Sequence, residues 1–176
     1  MKGTTPIPSA TVILLSNTIS GPGFKVLLLQ RNSKIATHGG SWVFPGGKLD
    51  PDDYKGIVFE GAFDKLSQQV QLQVAMQAAI RESYEEAALT IKASALTYFS
   101  NWLTPASMTK RFNTFFFITE HHTEDVKIDD SEICDFCWLS PQEALQRQAS
   151  GSLPLPPPTY LSLLLLSRYE DATRAI

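Results

Sequence analysis

The chain has little of what several classes of protein depend on. Only two of its 176 residues are cysteine and three are histidine, which argues against a disulfide framework and against a zinc site built from Cys and His pairs. Asp and Glu (18) outnumber Lys and Arg (15), and the net charge of -3 argues against a nucleic acid polymer as partner. The most apolar stretch near the C-terminus, residues 161–166, is too short to cross a membrane.

The two cysteines stand close together, at Cys134 and Cys137. A zinc site of the C-x-x-C type needs a second pair of ligands at a matching distance, and the sequence has none. Residues 133–139 read as a buried strand. We therefore expect both cysteines to be small residues of the core rather than redox or metal groups.

Signals of export or anchoring are missing as well. No charged and then apolar segment opens the chain, and it ends in Ala175 and Ile176 rather than in a Ser-Lys-Leu type signal. With 43% hydrophobic residues, the chain is long enough to bury the core of one domain. We expect a single domain, residues 1–176, a cytoplasmic location and no membrane contact.

An acidic helix is the most informative feature that the sequence does contain. Residues 67–89 are dominated by good helix formers without Gly or Pro, and Ser67 is placed to cap them. Glu82, Glu85 and Glu86 are three and four residues apart, so their carboxylates share one face of the helix. Like charges at that spacing repel, and a bound cation is their natural partner; a solvated acidic face is the alternative.

A turn with very little side-chain bulk precedes this helix. A strand-like segment that begins at Trp42 runs into Pro45, Gly46 and Gly47. Glycine at a tight turn lets the backbone approach a ligand or a metal closely. The turn and the acidic helix together are more specific than either feature alone.

The two features resemble the box of the Nudix hydrolases. That box reads Gly, five residues, Glu, seven residues and then Arg-Glu-U-x-Glu-Glu-x-Gly-U, with U apolar. The matching positions here are Gly47, Arg81, Glu82, Glu85, Glu86 and Leu89. The resemblance implies an α/β fold, the Nudix-type α/β/α sandwich with a mixed central sheet. It also implies an enzyme that hydrolyses phosphate anhydrides with Mg²⁺ or Mn²⁺ as cofactor.

The chain departs from the family's box in four ways. Asp53, or no residue at all, takes the place of the first Glu, because the alternative position by spacing is Gln73, which has no carboxylate. Residues 54–80 occupy a gap where the family has seven positions, so we place an insertion at about residues 54–73. Ser83 replaces an apolar residue. Ala88 replaces the Gly that commonly ends the helix, and we expect a reshaped exit there.

By resemblance, the matching positions receive functional roles. The catalytic candidates are Arg81, Glu82, Glu85 and Glu86. The metal candidates are Gly46, through its carbonyl, and Glu82, Glu85 and Glu86. The candidates for substrate binding are Arg31, Gly47, Trp102 and Arg111. Arg81 is expected to pair with a helix glutamate and hold it in place.

Alternatives remain open for several of these residues. Trp42 and Trp102 would stack on adenine or simply pack in the core. Lys110 and Arg111 would contact phosphate or be ordinary charges at a strand start. Three acidic residues outside the box compete with Glu82 and Glu85 as the general base. They are Asp129, Asp130 and Glu132. His38 enters the loop before Trp42 and is a further candidate neighbour of the substrate.

Three segments resemble the coenzyme A branch of the family. Residues 45–53 fit P-G-G-x-x-D-x-x-D, and residues 102–105 and 111–116 are similar to W-x-T-P and R-F-x-T-x-F-F. They imply a small nucleotide substrate, coenzyme A or acyl-coenzyme A, which would yield 3′,5′-ADP and (acyl-)phosphopantetheine. The alternatives are an ADP-sugar, NADH or dinucleotide pyrophosphatase and, in another class, a nucleotide sensor without catalysis. A homodimer is possible, with the insertion as its first candidate contact.

The remaining elements follow from periodicity and caps. The second strand is apolar throughout its centre, which predicts helices on both faces of the sheet. The acidic helix should turn its apolar stripe, Leu72, Met76, Ile80 and Ala87, towards that sheet. Later helices should begin at Ser140 and Thr159. The predicted strands are residues 10–16, 24–31, 91–102, 111–119 and 133–139.

Overall fold

The computed structural model describes residues 4–18, 22–35, 37–122 and 125–176. Two glycines and a proline predict a turn at residues 17–23, which lies partly outside the described residues. Across these ranges, no helix combines the length and the apolar character needed to span a bilayer.

A mixed β-sheet forms the centre of the fold. Its order is β3-β2-β1-β6-β5, with β4 added beside β1 and β7 beside β2. The central pair, β1 and β6, is parallel, whereas the other pairs are antiparallel. The strands are β1 Ile7–Asn17, β2 Phe24–Arg31, β3 Trp42–Val43, β4 Gly46–Lys48, β5 Thr97–Leu103, β6 Phe112–Glu120 and β7 Ile133–Leu139.

Helices cover both faces of this sheet, as the apolar centre of β2 predicts. The helices are α1 Gln68–Ala87, α2 Pro141–Ala149, α3 Pro157–Leu166 and α4 Ala172–Ala175. Alternate residues of β1 divide between two cores: Val12 and Leu14 pack with α1, whereas Ile13 and Leu15 pack with α2 and α3. The predicted α/β/α sandwich with a mixed sheet is confirmed.

Several predicted element bounds require correction. β2 and β7 have the predicted bounds, but β1 is longer, and β5 is shorter because Ala93–Ala95 forms a 3-10 turn. α3 begins at Pro157 with Pro156 at its N-cap, so Thr159 lies inside the helix and does not cap it. Ser140 does cap α2, where its side chain accepts a hydrogen bond from the backbone N–H of Glu143.

The expectation that both cysteines are core residues was wrong for Cys134. In the part of the chain that the structure describes, β7 pairs only with β2, so it is an edge strand with an exposed centre. Cys134 is exposed and Cys137 is half-buried, and both are free thiols. Burial raises the pKa of Cys137 to about 12, so its thiol stays protonated and unreactive at neutral pH.

α1 packs on the sheet through small residues. The predicted cap is present, because Ser67 Oγ accepts from the backbone N–H of Val70 at 3.4 Å. The predicted stripe is only half-buried at Leu72, Met76 and Ile80, and the buried face is instead Val74, Ala75, Ala78, Ala79, Ser83, Glu86 and Ala87. Alanines bring the helix backbone close to the strands and leave the larger side chains at the margin. Ser83 fits this face because its hydroxyl donates to the carbonyl of Ala79 at 2.7 Å.

The insertion before α1 is irregular, which agrees with the presence of Gly56 and Gly61 in it. One 3-10 turn, Pro51–Tyr54, leads into the insertion, and a second, Phe63–Lys65, lies within it. Phe63 ties it to the core through an edge contact with Phe115 at 5.9 Å between ring centroids. Val58, in contrast, is 95% exposed. The insertion therefore loops outward between two anchored ends and does not separate α1 from the sheet.

The expected reshaping of the helix exit was also wrong. Ala88 adopts the left-handed conformation that Gly would take, with φ 56° and ψ 28°, and its N–H bonds to the carbonyls of Ser83 and Tyr84. The N–H of Leu89 also bonds to the Ser83 carbonyl, at 3.2 Å. The hydrogen-bonding pattern of a glycine-ended helix is thus kept without glycine.

Replacing Ala88 with Gly should therefore stabilise the protein. A left-handed Ala is strained by about 1 to 2 kcal/mol, and Gly removes this strain. Because Gly also makes the unfolded chain more flexible, we expect the free energy of unfolding to rise by only about 0.5 to 1 kcal/mol. Denaturant unfolding measures the difference. Gln77→Gly, at an exposed position in the middle of α1, is the control and should cost about 1 kcal/mol. A loss of stability in Ala88→Gly would contradict the claim that Ala88 is strained in its left-handed conformation.

Candidate functional site

The glycine turn and α1 meet at the C-terminal half of the helix. The N–H of Gly46 donates to Glu86 Oε2 at 2.9 Å. A Cβ at Gly47 would collide with the carboxylate of Glu82, and one at Gly46 would collide with the carbonyl of Ala10. The backbone of Ala10 leaves no room for a side chain at Gly46, whereas a side chain at Gly47 would displace the carboxylate of Glu82. Glycine at both positions therefore lets the turn close on the carboxylates.

Arg81 is the centre of a network of acidic groups. Its Nη1 donates to Glu82 Oε1 and to Glu85 Oε2, at 2.9 Å each. Its Nε and Nη2 donate to the two carboxylate oxygens of Asp53 at 3.0 Å, the two-pronged geometry that suits a guanidinium. Nη2 also donates to the carbonyl of Lys48 at 3.0 Å. Above all, the hydrogen bond with Asp53 raises the pKa of Arg81, so its charge is permanent.

Asp53 reaches this network in spite of the insertion that follows it. Its side chain is 3% exposed and belongs to the 3-10 turn Pro51–Tyr54, where Asp53 Oδ2 accepts from the N–H of Asp50 at 2.7 Å. The position where the family's first Glu was expected thus supplies a carboxylate to Arg81. Sequence reasoning predicted that Arg81 pairs with a helix glutamate but did not foresee this second partner, although the spacing from Gly47 pointed to it.

Glu86 and Glu82 are acidic groups held away from water. Glu86 is 4% exposed, and its nearest cation is Arg31, with Nη1 3.8 Å from Oε1. Burial raises the pKa of Glu86 to about 8, against the lowering effect of the Gly46 N–H. Burial also raises the pKa of Glu82, against its hydrogen bond with Arg81. Both carboxylates therefore lack a full counter-charge within the protein.

These groups suit a hard divalent cation. Carboxylate and carbonyl oxygens are the donors that Mg²⁺ and Mn²⁺ prefer, and buried carboxylates short of positive charge are what such an ion stabilises. Among the described residues, no three His, Cys, Asp or Glu side chains already converge on one point. The guanidinium of Arg81 sits between Glu82 and Glu85. The roles of Glu82, Glu85, Glu86 and the Gly46 carbonyl as ligands stay predictions.

In the loop before β7, two of the candidates for the general base, Asp129 and Glu132, have carboxylates with different partners. Asp129 is committed to the backbone: its oxygens accept from the N–H groups of Ser131, Glu132 and Ile133 at 3.2, 2.8 and 2.9 Å. Although burial alone would raise the pKa of Asp129, these hydrogen bonds lower it. Glu132, in contrast, is 65% exposed and places Oε2 3.7 Å from Nη2 of Arg31. Glu132 therefore shares Arg31 with Glu86 at the edge of the site.

The four predicted substrate residues fall into two pairs. Arg31, between Glu86 and Glu132, and Gly47, against Glu82, lie at the carboxylates. Trp102 packs with the core on the α2 and α3 face of the sheet, which favours the packing alternative. Arg111 donates to the carbonyls of Thr104 and Thr4 at 3.1 and 2.9 Å and so anchors backbone. Substrate contacts of all four stay predictions.

Comparison with known proteins supplies a family. The NUDIX domain family matches residues 5–155. A provisionally named nudix hydrolase 7 of Caenorhabditis elegans is 26% identical over 184 residues, which cover 93% of this chain and 61% of that protein. The acyl-coenzyme A diphosphatase NUDT19 of Xenopus laevis is 36% identical over 80 residues, covering 43% and 21%. The chain thus spans less than two thirds of the length of either relative.

The fold has a close counterpart among solved structures. The crystal structure of a NUDIX hydrolase from Alicyclobacillus acidocaldarius superimposes with a TM-score of 0.80 at 21% identity, covering 98% of this chain and 96% of that one. At this level of identity the likeness concerns the fold. The sheet, its two helical layers and the position of α1 are therefore those of a known architecture.

Proposed function

The chain belongs to the Nudix hydrolase family, whose members act on phosphate anhydrides, and we propose that it cleaves the diphosphate of coenzyme A or acyl-coenzyme A. The products would be 3′,5′-ADP and (acyl-)phosphopantetheine. The observation that carries the reaction type is the closure of the Gly46 and Gly47 turn on Glu82 and Glu86. The coenzyme A-type segments at residues 45–53, 102–105 and 111–116 support the substrate class, as does the local likeness to an acyl-coenzyme A diphosphatase.

The position of each residue in the site indicates its role in hydrolysis. Glu82, Glu85 and Glu86, with the Gly46 carbonyl, would hold Mg²⁺ or Mn²⁺. When bound, such an ion neutralises phosphate oxygens and makes water a better nucleophile at neutral pH. Arg81 positions Glu82 and Glu85 by donating to both, and Asp53 fixes Arg81 from the opposite side.

Glu132 is our choice for the general base. Among the described residues, backbone N–H groups donate to the carboxylate of Asp129, and none donates to that of Glu132. Glu132 lies next to Arg31, whereas Glu82 and Glu85 accept hydrogen bonds from Arg81. The water oxygen attacks phosphorus, the bridging oxygen leaves with the electrons of the broken bond, and the proton of the water passes to Glu132. Arg31, between Glu132 and Glu86, is placed to steady the phosphate under attack.

Domain organisation and assembly remain part of the proposal. We expect residues 1–176 to act as one domain and the insertion to be the first contact tested for a homodimer, because Val58 is 95% exposed and Phe59 is 39% exposed.

The first experiment offers purified protein coenzyme A, ADP-ribose, NADH and a diadenosine polyphosphate in parallel. Each reaction contains Mg²⁺ and is repeated with EDTA in excess. We expect preferred cleavage of coenzyme A and its loss with EDTA, because buried carboxylates alone cannot neutralise the phosphate oxygens.

Other outcomes of the same panel assign other functions. Cleavage of ADP-ribose, NADH or the dinucleotide alone would keep the chemistry and refute the coenzyme A assignment. Tight nucleotide binding without turnover would favour the sensor alternative, which the presence of all three helix glutamates argues against.

A further inference from the structure

The loop between β5 and β6 reaches across to the loop that follows β2. Lys110, at the end of the first loop, places Nζ 2.5 Å from Oγ1 of Thr37 in the second. His38 is the next residue, and Arg31 ends the strand from which this second loop departs. We call Arg31, His38 and Lys110 the basic cluster. No sequence motif joins positions so far apart, so the contact of Lys110 with Thr37 was not predicted.

The loop after β2 is built to fold back on its own strand. Gly40 N–H donates to the carbonyl of Arg31 at 2.9 Å, and Arg31 N–H donates to the carbonyl of Ser41 at 3.0 Å. His38 takes a left-handed conformation, with φ 54°, at the tip of this turn. The backbone therefore fixes where His38 and Arg31 lie relative to each other.

The two cations of the cluster differ in their acidic neighbours, because Arg31 lies 3.8 Å from a Glu86 oxygen and 3.7 Å from a Glu132 oxygen. Within the described ranges, Lys110 forms no ion pair with an acidic residue; its ammonium contacts Thr37 and lies 5.5 Å from the ring centroid of Phe112. Nε of Arg31 is buried, and no group of the described residues accepts a hydrogen bond from it. The pKa of His38 is lowered, first by burial and then by the charges of Arg31 and Lys110, so both cations act at the imidazole.

We propose that the basic cluster binds a phosphate monoester of the substrate that is separate from the diphosphate being cut. Arg31 connects the two places, because it contacts Glu86 of the carboxylate site and belongs to the cluster. A phosphate monoester carries almost two negative charges and accepts several hydrogen bonds, which matches two cations and an imidazole. The inference rests on the proposed function: in coenzyme A the group of this kind is the 3′-phosphate of the adenosine.

Binding of two nucleotides that differ only in this phosphate tests the cluster. Calorimetric titration compares 3′,5′-ADP with 5′-AMP for the natural protein, Lys110→Met, Lys110→Arg and the control Lys92→Met, an exposed lysine outside the cluster. Loss of one charged hydrogen bond should weaken 3′,5′-ADP about tenfold in Lys110→Met and leave 5′-AMP unchanged. Lys110→Arg and the control should keep the preference for 3′,5′-ADP.

A second variant and a second assay distinguish failure of the basic cluster from failure of the proposed function. His38→Asn removes the imidazole but tolerates the left-handed backbone, and it should also reduce the preference for 3′,5′-ADP. Equal weakening of both nucleotides, or no weakening in either variant, would overturn the cluster as a phosphate site. The titration needs no turnover, so absence of hydrolysis would refute the proposed function alone. If Lys110→Met slowed the cleavage of coenzyme A and of its 3′-dephospho form by the same factor, the cluster would be refuted as a phosphate site and the proposed function would stand.

Discussion

Glu85→Gln should lower the turnover number by about 100-fold or more and leave the fold intact. Glu85 is the most exposed of the three helix glutamates, with 55% of its side chain accessible, whereas Glu86 is buried. Its contact with Arg81 is a surface ion pair, and such pairs add little to stability. In the proposed reaction its charge holds the cation, and the neutral amide loses that charge while keeping nearly the same shape.

The matched control for this prediction is Glu143→Gln. Glu143 forms the same kind of pair, with Arg147 four residues later on α2, at 2.6 Å and with 46% of its side chain exposed. Steady-state hydrolysis and thermal unfolding are measured for both variants. The control should keep full activity, and the two should unfold within a few degrees of each other. A full rate in Glu85→Gln would refute the role of the acidic helix.

Asp53→Asn should destabilise the protein by about 2 to 3 kcal/mol, below the full cost of breaking a buried pair because Arg81 is 24% exposed. The carboxylate of Asp53 accepts two hydrogen bonds from Arg81 and one from the N–H of Asp50. An amide can accept only through its oxygen, so the guanidinium is left partly unpaired. Arg81 would then hold Glu82 and Glu85 less firmly, and activity should fall as well.

Asp52→Asn is the control from the same 3-10 turn. Asp52 is 65% exposed, and in the described part of the chain its side chain forms an ion pair with Lys55 alone, at the surface. Its loss should therefore change stability by less than about 0.5 kcal/mol. Denaturant unfolding gives both values. Equal stability of the two variants would mean that the contact between Asp53 and Arg81 does not hold the insertion against α1.

Much of the secondary structure could be predicted from interactions between residues close together in the chain. The bounds of β2 and β7 and the caps at Ser67 and Ser140 agree with prediction, because apolar runs and capping side chains act over a few residues. The errors arose where distant contacts decided the outcome. Cys134 is exposed because β7 lies at a sheet edge, and Ala88 stays left-handed because the hydrogen bonds of the helix end outweigh its strain.

The sequence by itself determined the acidic face of α1, the turn at Gly46 and Gly47, and the family whose box these features resemble. Those features are matters of residue type and spacing, which helix geometry and the absence of a Cβ translate directly into structure. Only the tertiary structure decided that Asp53 reaches Arg81 across the insertion and that Lys110 contacts Thr37, the residue before His38. Both contacts join segments far apart in the chain, which are brought together by the pairing and packing of the whole sheet.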